Sequence, residues 1–243
     1  MPWRWEEQAT NWVRWVQTAG HDRGWSYFPA FVSLLPPPQG LTLELGCGEG
    51  RVVRELVARG YPTVGLELSA TLVEAAYDAG YEGHYVRGDA ARLPFADATF
   101  ELVVSYNSLM DIELMPEAVS ETARVLRTGG RMCISVTHPI ADAGKFVSHD
   151  PDAAFVIPGS YLGRRDFEEL VQRDGLEMTF SGWAYPTEAY FAAFENVGLL
   201  VESLREPAAP EGDVQGDEGE HRWQRIPMFL HLRAVKPGGR HRT

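Results

Sequence analysis

The stretch LTLELGCGEGR, residues Leu41 to Arg51, decides how the rest of the chain is read. A short β-run, Leu41 to Leu45, breaks at Gly46 and gives way to a helix that begins near Gly50. Glycines at 46, 48 and 50 leave alternate positions without β-carbons, so backbone amides and the positive end of the next helix can approach a ligand closely. Two readings fit such a turn. Its glycines serve backbone geometry alone, or they make room for a nucleotide-like ligand.

Outward from that turn, β-runs alternate with helical patterns. The spacing predicts strand 41–45, helix 50–59, strand 62–67, helix 70–80, strands 83–86 and 100–104, helix 116–127 and strand 131–137. This alternation specifies an α/β fold, a doubly wound and mostly parallel sheet with helices on both faces. Local chemistry sets several boundaries: Gly60 follows the first of these helices, Ser69 caps the second, Pro116 opens the third and Gly129-Gly130 ends it. Upstream, Trp5, Trp12 and Trp15 recur at helical spacing over 3–19, with the tryptophans read as packing residues. A second apolar segment, Tyr27 to Leu35, stops at Pro36-Pro37-Pro38. Residues 138–184 break the rhythm with glycines, prolines and aromatics, and are expected to form an ordered cap that is irregular or holds a small hairpin. Helix 187–196 and strand 199–204 follow, then an acidic, exposed flexible loop over 207–221, a last strand over 225–235 and a frayed tail from Pro237. The whole is expected to be one domain: a helical lid (1–39), a cofactor-binding core (40–137), a substrate-cap insertion (138–184), a C-terminal part of the core (185–236) and a tail (237–243).

Composition narrows the function. The 243 residues are 44% hydrophobic and 23% charged, enough for one well-buried core. A formal net charge of -12 argues against a nucleic-acid partner, whose phosphates require a basic face, and favours a small molecule. Cys47 and Cys133 have no CxxC partner, so neither disulfides nor a zinc site is expected, and no metal is predicted. The N-terminus lacks a basic and apolar leader, and no run approaches the length of a membrane span, so a cytoplasmic protein is expected, monomer or homodimer.

Four features fall at the ends of successive predicted strands, where open α/β sheets bind ligands. The glycine turn is the first. Glu67 ends the second strand, where its carboxylate can accept both hydroxyl protons of a ribose. Asp89, in Gly88-Asp89-Ala90, can accept from an adenine amino group while Leu93-Pro94-Phe95 forms an apolar wall. Ser105-Tyr106-Asn107-Ser108 brings small polar groups opposite the turn. Arg51 stands where a dinucleotide fingerprint places its third glycine, so a nucleoside without a diphosphate is favoured over a nicotinamide dinucleotide.

These residues resemble the class I S-adenosylmethionine-dependent methyltransferases of the small-molecule type. Glu44-Leu45-Gly46-Cys47-Gly48-Glu49-Gly50 is similar to the family's cofactor turn, Gly65 to Ser69 to its acidic second strand, and Gly88 to Phe95 to its adenine segment. Phe100 to Ser105 and Leu126 to Gly130 resemble the motifs of the fourth strand and before the fifth. The resemblance implies a seven-stranded sheet with an antiparallel last strand, and S-adenosyl-L-methionine as cofactor with S-adenosyl-L-homocysteine as product. It implies Glu44, Gly46, Cys47, Gly48, Glu67, Leu68, Asp89 and Ala90 as cofactor contacts. Tyr106, Asn107 and Asp111 are expected at the mouth of the site, and Arg51, His21 and Tyr27 at the amino-acid end of the cofactor or over the pocket. His138, past the fifth strand, is the candidate general base, with Tyr106 as a further catalytic candidate; a backbone-bonded strand-end histidine is the alternative. The expected reaction is methyl transfer to oxygen, nitrogen or carbon of a small aromatic or heterocyclic molecule; the alternative is the same fold binding its ligand without methylating.

Overall fold

Thr42 to Leu45 are buried at all four positions, as a central parallel strand requires when helices cover both of its faces. A computed structural model describes residues 3–80, 83–211 and 218–238. In chain order it contains α1 (Trp3–Gln17), α2 (Phe28–Val32), β1 (Thr42–Leu45), α3 (Arg51–Ala58), β2 (Thr63–Glu67), α4 (Ala70–Asp78), β3 (His84–Arg87), β4 (Phe100–Tyr106), α5 (Met115–Val125) and β5 (Leu126–Thr137). After these come α6 (Pro139–Ala143), β6 (Lys145–Phe146), β7 (Phe155–Val156), β8 (Arg165–Arg173), β9 (Leu176–Ala184), α7 (Thr187–Asn196), β10 (Leu200–Arg205) and β11 (Phe229–Val235).

The main sheet has seven strands in the order β10-β11-β5-β4-β1-β2-β3. β1 pairs in parallel with β2 and β4, and β11 runs antiparallel to both β5 and β10. The order reverses beside β1, so the carboxyl ends of β1 and β4 flank the crevice where such sheets take ligands. Leu43, Leu45, Val103 and Ile134 from three neighbouring strands are fully buried in the same core, each contributing about 1.5–3 kcal/mol by leaving water.

Three expectations change. The helix predicted over 116–127 stops at Val125, because Leu126 is drawn into the core in extended conformation and Lys236 Nζ donates to the carbonyls of Ala123 (2.7 Å) and Leu126 (2.8 Å). The loop predicted over 207–221 is only partly loop: Ala209 is buried, a 3-10 turn covers Glu218–Gln224, and Arg222 donates to the Ser148 carbonyl (2.9 Å). Residues 212–217 of that loop, and the tail over 239–243, lie outside the described residues. The last strand begins at Phe229, not 225, since Arg225 turns away to donate to the carbonyls of Pro151 and Ala153.

The insertion is more regular than expected. β8 and β9 pair along nine residues each, from Arg165 opposite Ala184 to Arg173 opposite Leu176. Asp174 and Gly175 form the two-residue turn, both at positive φ (50° and 79°), the geometry whose twist matches a hairpin. α1 lies across this hairpin and α4: Trp12 and Trp15 meet Phe180 edge-on at 6.3 and 5.8 Å, and Thr71 Oγ1 donates to Glu6 Oε1 (2.8 Å). The N-terminal helix thereby roofs the glycine turn.

Candidate functional site

The amides of Gly46 (2.8 Å) and Cys47 (3.0 Å) both donate to the Leu66 carbonyl, which folds the chain sharply as it leaves β1. Gly46 has φ 66°, and a β-carbon there would stand 2.7 Å from the Ser108 Cβ, so this glycine is dictated by packing against the end of β4. Gly48 differs. At φ 55° its missing β-carbon would meet only Trp12 Nε1, at 3.4 Å, so its bare α-carbon faces a cavity and not a neighbouring wall.

That cavity, of about 250 Å³, lies over the carboxyl ends of β1, β2 and β4, beneath α1 and the hairpin. Glu44, Gly46, Cys47, Gly48, Arg51, Glu67, Leu68, Asp89, Ala90, Tyr106, Asn107 and Asp111 all line it. Glu67 and Asp89 therefore face one space. Trp183 of the expected cap lines it as well, as do Trp5 and Trp12, which the sequence assigns to packing, and Ile112 and Leu114, which it does not single out.

Glu67 is buried and holds the turn together. Its Oε2 accepts from Gly48 N (2.9 Å), and its Oε1 accepts from Leu68 N (2.8 Å) and Ser69 N (2.9 Å). Burial raises its carboxyl while these three amides pull it back down. A carboxylate offers about four lone pairs, and three are taken here, so Glu67 has one left for a ligand hydroxyl instead of the two expected. Glu44 is the complement: 1% exposed, it has an Oε2 without a hydrogen-bond partner among the described residues. Burial pushes its carboxyl well up, and Glu49 and Glu67 add to this. Its free oxygen is left for a donor group of a ligand.

Arg51 is tied to the lid. Its guanidinium pairs with Asp22, lies over Trp25 at 4.2 Å and stands 6.0 Å from the Trp12 ring. Burial lowers it to about 10, which leaves it a cation at neutral pH. Asp22 also accepts from Gly24 N (2.9 Å), so the connector after α1 is fastened to the start of α3.

Several expected residues stand elsewhere. His21 is buried against Trp15 (ring centroids 4.9 Å) and does not line the cavity. Tyr27 packs on Phe229 (4.8 Å) in a small cluster with Ala209 and Met228, also away from it. His138 is 4% exposed with both ring nitrogens engaged, Nδ1 by Ile140 N (3.1 Å) and Nε2 by Glu206 Oε1 (2.9 Å). It caps α6, bonded to the backbone at the strand end, and lies outside the cavity wall. Tyr106 reaches the wall, where its hydroxyl donates to the Gly24 carbonyl and anchors the connector after α1, and burial raises its pKa strongly. Leu93 and Phe95 do not wall the cavity: Leu93 joins the core and Phe95 packs on Phe100 (5.0 Å), while Leu66, Leu68 and Leu72 supply the apolar side beside Asp89. Asp89 Oδ1 accepts from Ala91 N (2.9 Å), fixing this loop. Burial raises the Cys47 thiol far from ionisation. Among the described residues no group of three or more His, Cys, Asp or Glu could hold a metal ion.

The family described as methyltransferase domain matches residues 43–134. A demethylmenaquinone methyltransferase of Roseiflexus sp. (strain RS-1) is 30% identical over 192 residues, covering 70% of this chain and 78% of the relative. A demethylmenaquinone methyltransferase of Roseiflexus castenholzii is 34% identical over 131 residues, 51% of this chain, so the match spans about half (54%) of that relative's length. In fold, the crystal structure of an S-adenosylmethionine-dependent methyltransferase from Mesorhizobium loti superposes with a TM-score of 0.71 at 23% identity, covering 86% of this chain and 97% of that one. The chain belongs to the class I S-adenosylmethionine-dependent methyltransferases. Its cofactor is S-adenosylmethionine, and the residues present fit that molecule: a buried carboxyl with one oxygen free for its ammonium, a bare α-carbon at Gly48, and a carboxylate with one free lone pair.

Proposed function

We propose that this chain moves a methyl group from S-adenosylmethionine to an oxygen, nitrogen or carbon atom of a small aromatic or heterocyclic molecule held beneath the hairpin. The cavity carries this reading. One side is polar and glycine-lined, with Glu44, Gly48, Glu67 and Asp89; the other is aromatic and aliphatic, with Trp5, Trp12, Trp183, Ile112 and Leu114. Glu67 and Asp89 would hold the adenosine, Glu44 the ammonium, and Arg51 the carboxylate or the closed lid.

When bound, the cofactor supplies an electrophilic methyl group on a sulfonium. The chain's own residues bind, align and exclude water. Alignment of two bound reactants contributes on the order of 7 to 11 kcal/mol in favourable cases, so no obligatory base is needed for every methyl acceptor. α1 acts as a lid and residues 138–184 as a cap, since Trp12 and Trp183 approach the cavity from those two segments. A net charge of -12 supports a small-molecule partner over nucleic acid. No helix of the described residues is long and apolar enough to cross a membrane.

Titration with S-adenosylhomocysteine in a calorimeter, followed by mass spectrometry of a turnover mixture with small aromatic candidates, tests the proposal. Binding with the mass gain of one methylene on a candidate is the expected result. Binding with no such gain on any candidate would favour the non-methylating alternative, and no binding would remove the reading.

A further inference from the structure

Seven acidic residues line the cavity, Asp22, Glu44, Glu49, Glu67, Asp89, Asp111 and Glu113, against one arginine, Arg51, which is already paired with Asp22. Glu49 is paired with Arg54, and Glu67 is occupied by backbone amides. Asp111 has no such partner among the described residues. It ends the 3-10 turn Leu109–Asp111 that follows β4, and its Oδ1 lies flush against β9, where a β-carbon on Gly182 would stand 2.6 Å away. Behind it the polar groups continue. Asp142 of α6 is in electrostatic reach of Asp111, and Tyr190 of α7 is in reach of both. Tyr190 is 1% exposed and its hydroxyl has no hydrogen-bond partner among the described residues; the buried Tyr185 hydroxyl has none either.

We infer that the methyl acceptor carries a basic nitrogen, and that Asp111 grips this nitrogen where its carboxyl lines the cavity beside β9. The inference deepens the proposed function and rests on it. A carboxyl on the cavity wall without a partner is unfavourable, and an ammonium or amine relieves it by offering positive charge and N–H donors together. A neutral hydroxyl compound would bring the carboxyl no positive charge. A carboxylate or phosphate compound would meet a wall in which acidic side chains outnumber the single arginine. Trp5, Trp12 and Trp183 line the remaining wall, and aromatic faces attract a cation as well as an aromatic body. Burial, with Asp142 and then Glu67 adding to it, raises the Asp111 carboxyl well above its ordinary range, and a cationic group beside it would draw it back down.

The experiment uses the full chain saturated with S-adenosylhomocysteine and three probes of similar size, 2-phenylethylamine, 2-phenylethanol and 3-phenylpropionate, titrated by tryptophan fluorescence at neutral pH. The amine should bind about tenfold or more tighter than the alcohol, and the propionate weakest. In Asp111→Asn the amine should lose about tenfold while the alcohol changes by less than about twofold. Gly182→Ala, whose methyl displaces the Asp111 carboxyl, should repeat that loss, and serves if the first variant does not fold. Equal binding of the alcohol or the propionate, no binding of the amine, or an amine preference that survives both substitutions would overturn the inference while leaving cofactor binding and the methyltransferase reading intact. Failure of the unsubstituted chain to bind S-adenosylhomocysteine would instead remove that reading, and this inference with it.

Discussion

Replacing Glu67 by glutamine tests whether one carboxylate both builds the turn and serves the ligand. Oε1 receives the amides of Leu68 and Ser69, and Oε2 that of Gly48. A glutamine has a single oxygen, which the pair of amides will keep. Its NH2 group must then face the Gly48 N–H, donor against donor. One hydrogen bond to a charged acceptor is lost, worth about 1.5–3 kcal/mol, and the two that remain lose their charge assistance. Removing a buried charge returns part of this, because burial is the largest influence on Glu67. The net expectation for Glu67→Gln is a loss of about 1–3 kcal/mol, or a fall in melting temperature of about 2–10 °C for a chain of this size. S-adenosylhomocysteine affinity should fall on the order of tenfold or more, since the last free lone pair sits on the oxygen that becomes the NH2 group. Thermal melts and calorimetric titration read the two effects separately. An unchanged melt together with an unchanged affinity would refute the assignment of both duties to this side chain.

Gly46→Ala should destabilise the fold by about 1–3 kcal/mol or more, seen as a lower urea midpoint, because a methyl is forced to 2.7 Å from Ser108 Cβ at positive φ. His138→Ala should cost about 1 kcal/mol of stability by removing the cap of α6, with turnover per folded molecule nearly unchanged; a steep selective loss of turnover would restore the histidine to the chemistry. Burial raises the Asp142 carboxyl from 3.8 to about 7, with Arg165 opposing. A raised carboxyl burdens the folded state once ionised, so the penalty is absent below about pH 4 and complete above about pH 7. Asp142→Asn should therefore match the parent's melting temperature in acid and exceed it above neutrality, with a stability gain on the order of a few kcal/mol at most. A constant difference across that range would contradict the shift.

The parts of the fold that could be read from sequence are those whose signal is local. The run Leu41 to Leu45 with its glycines, the Ser69 cap and the α7 helix at Thr187–Asn196 each carry their own cause within a few residues. The cofactor side of the cavity was legible for the same reason, because strand ends in a parallel sheet converge wherever the intervening helices lie. The errors come from contacts distant in sequence. Nothing near Leu126 announces that Lys236 will take the carbonyls at the end of α5. His138 looked available because Glu206, its partner, is 68 positions away. Leu93 and Phe95 looked like a ligand wall, but Arg124 donates to the carbonyls of both and turns their side chains into the core. The small hairpin expected as one alternative for the insertion has a local signal that places it: Asp174-Gly175 is a strong hairpin sign.

The clasp between the first helix and the hairpin ties opposite ends of the sequence into one door. Arg173 Nη1 donates to the Gly20 carbonyl (2.9 Å), and the His21 ring approaches the Arg173 carbonyl (3.4 Å) at the tip of the same hairpin. One wall of the cavity is thereby built from two segments fastened to each other, while the glycine turn and the acidic strand ends lie on the sheet side.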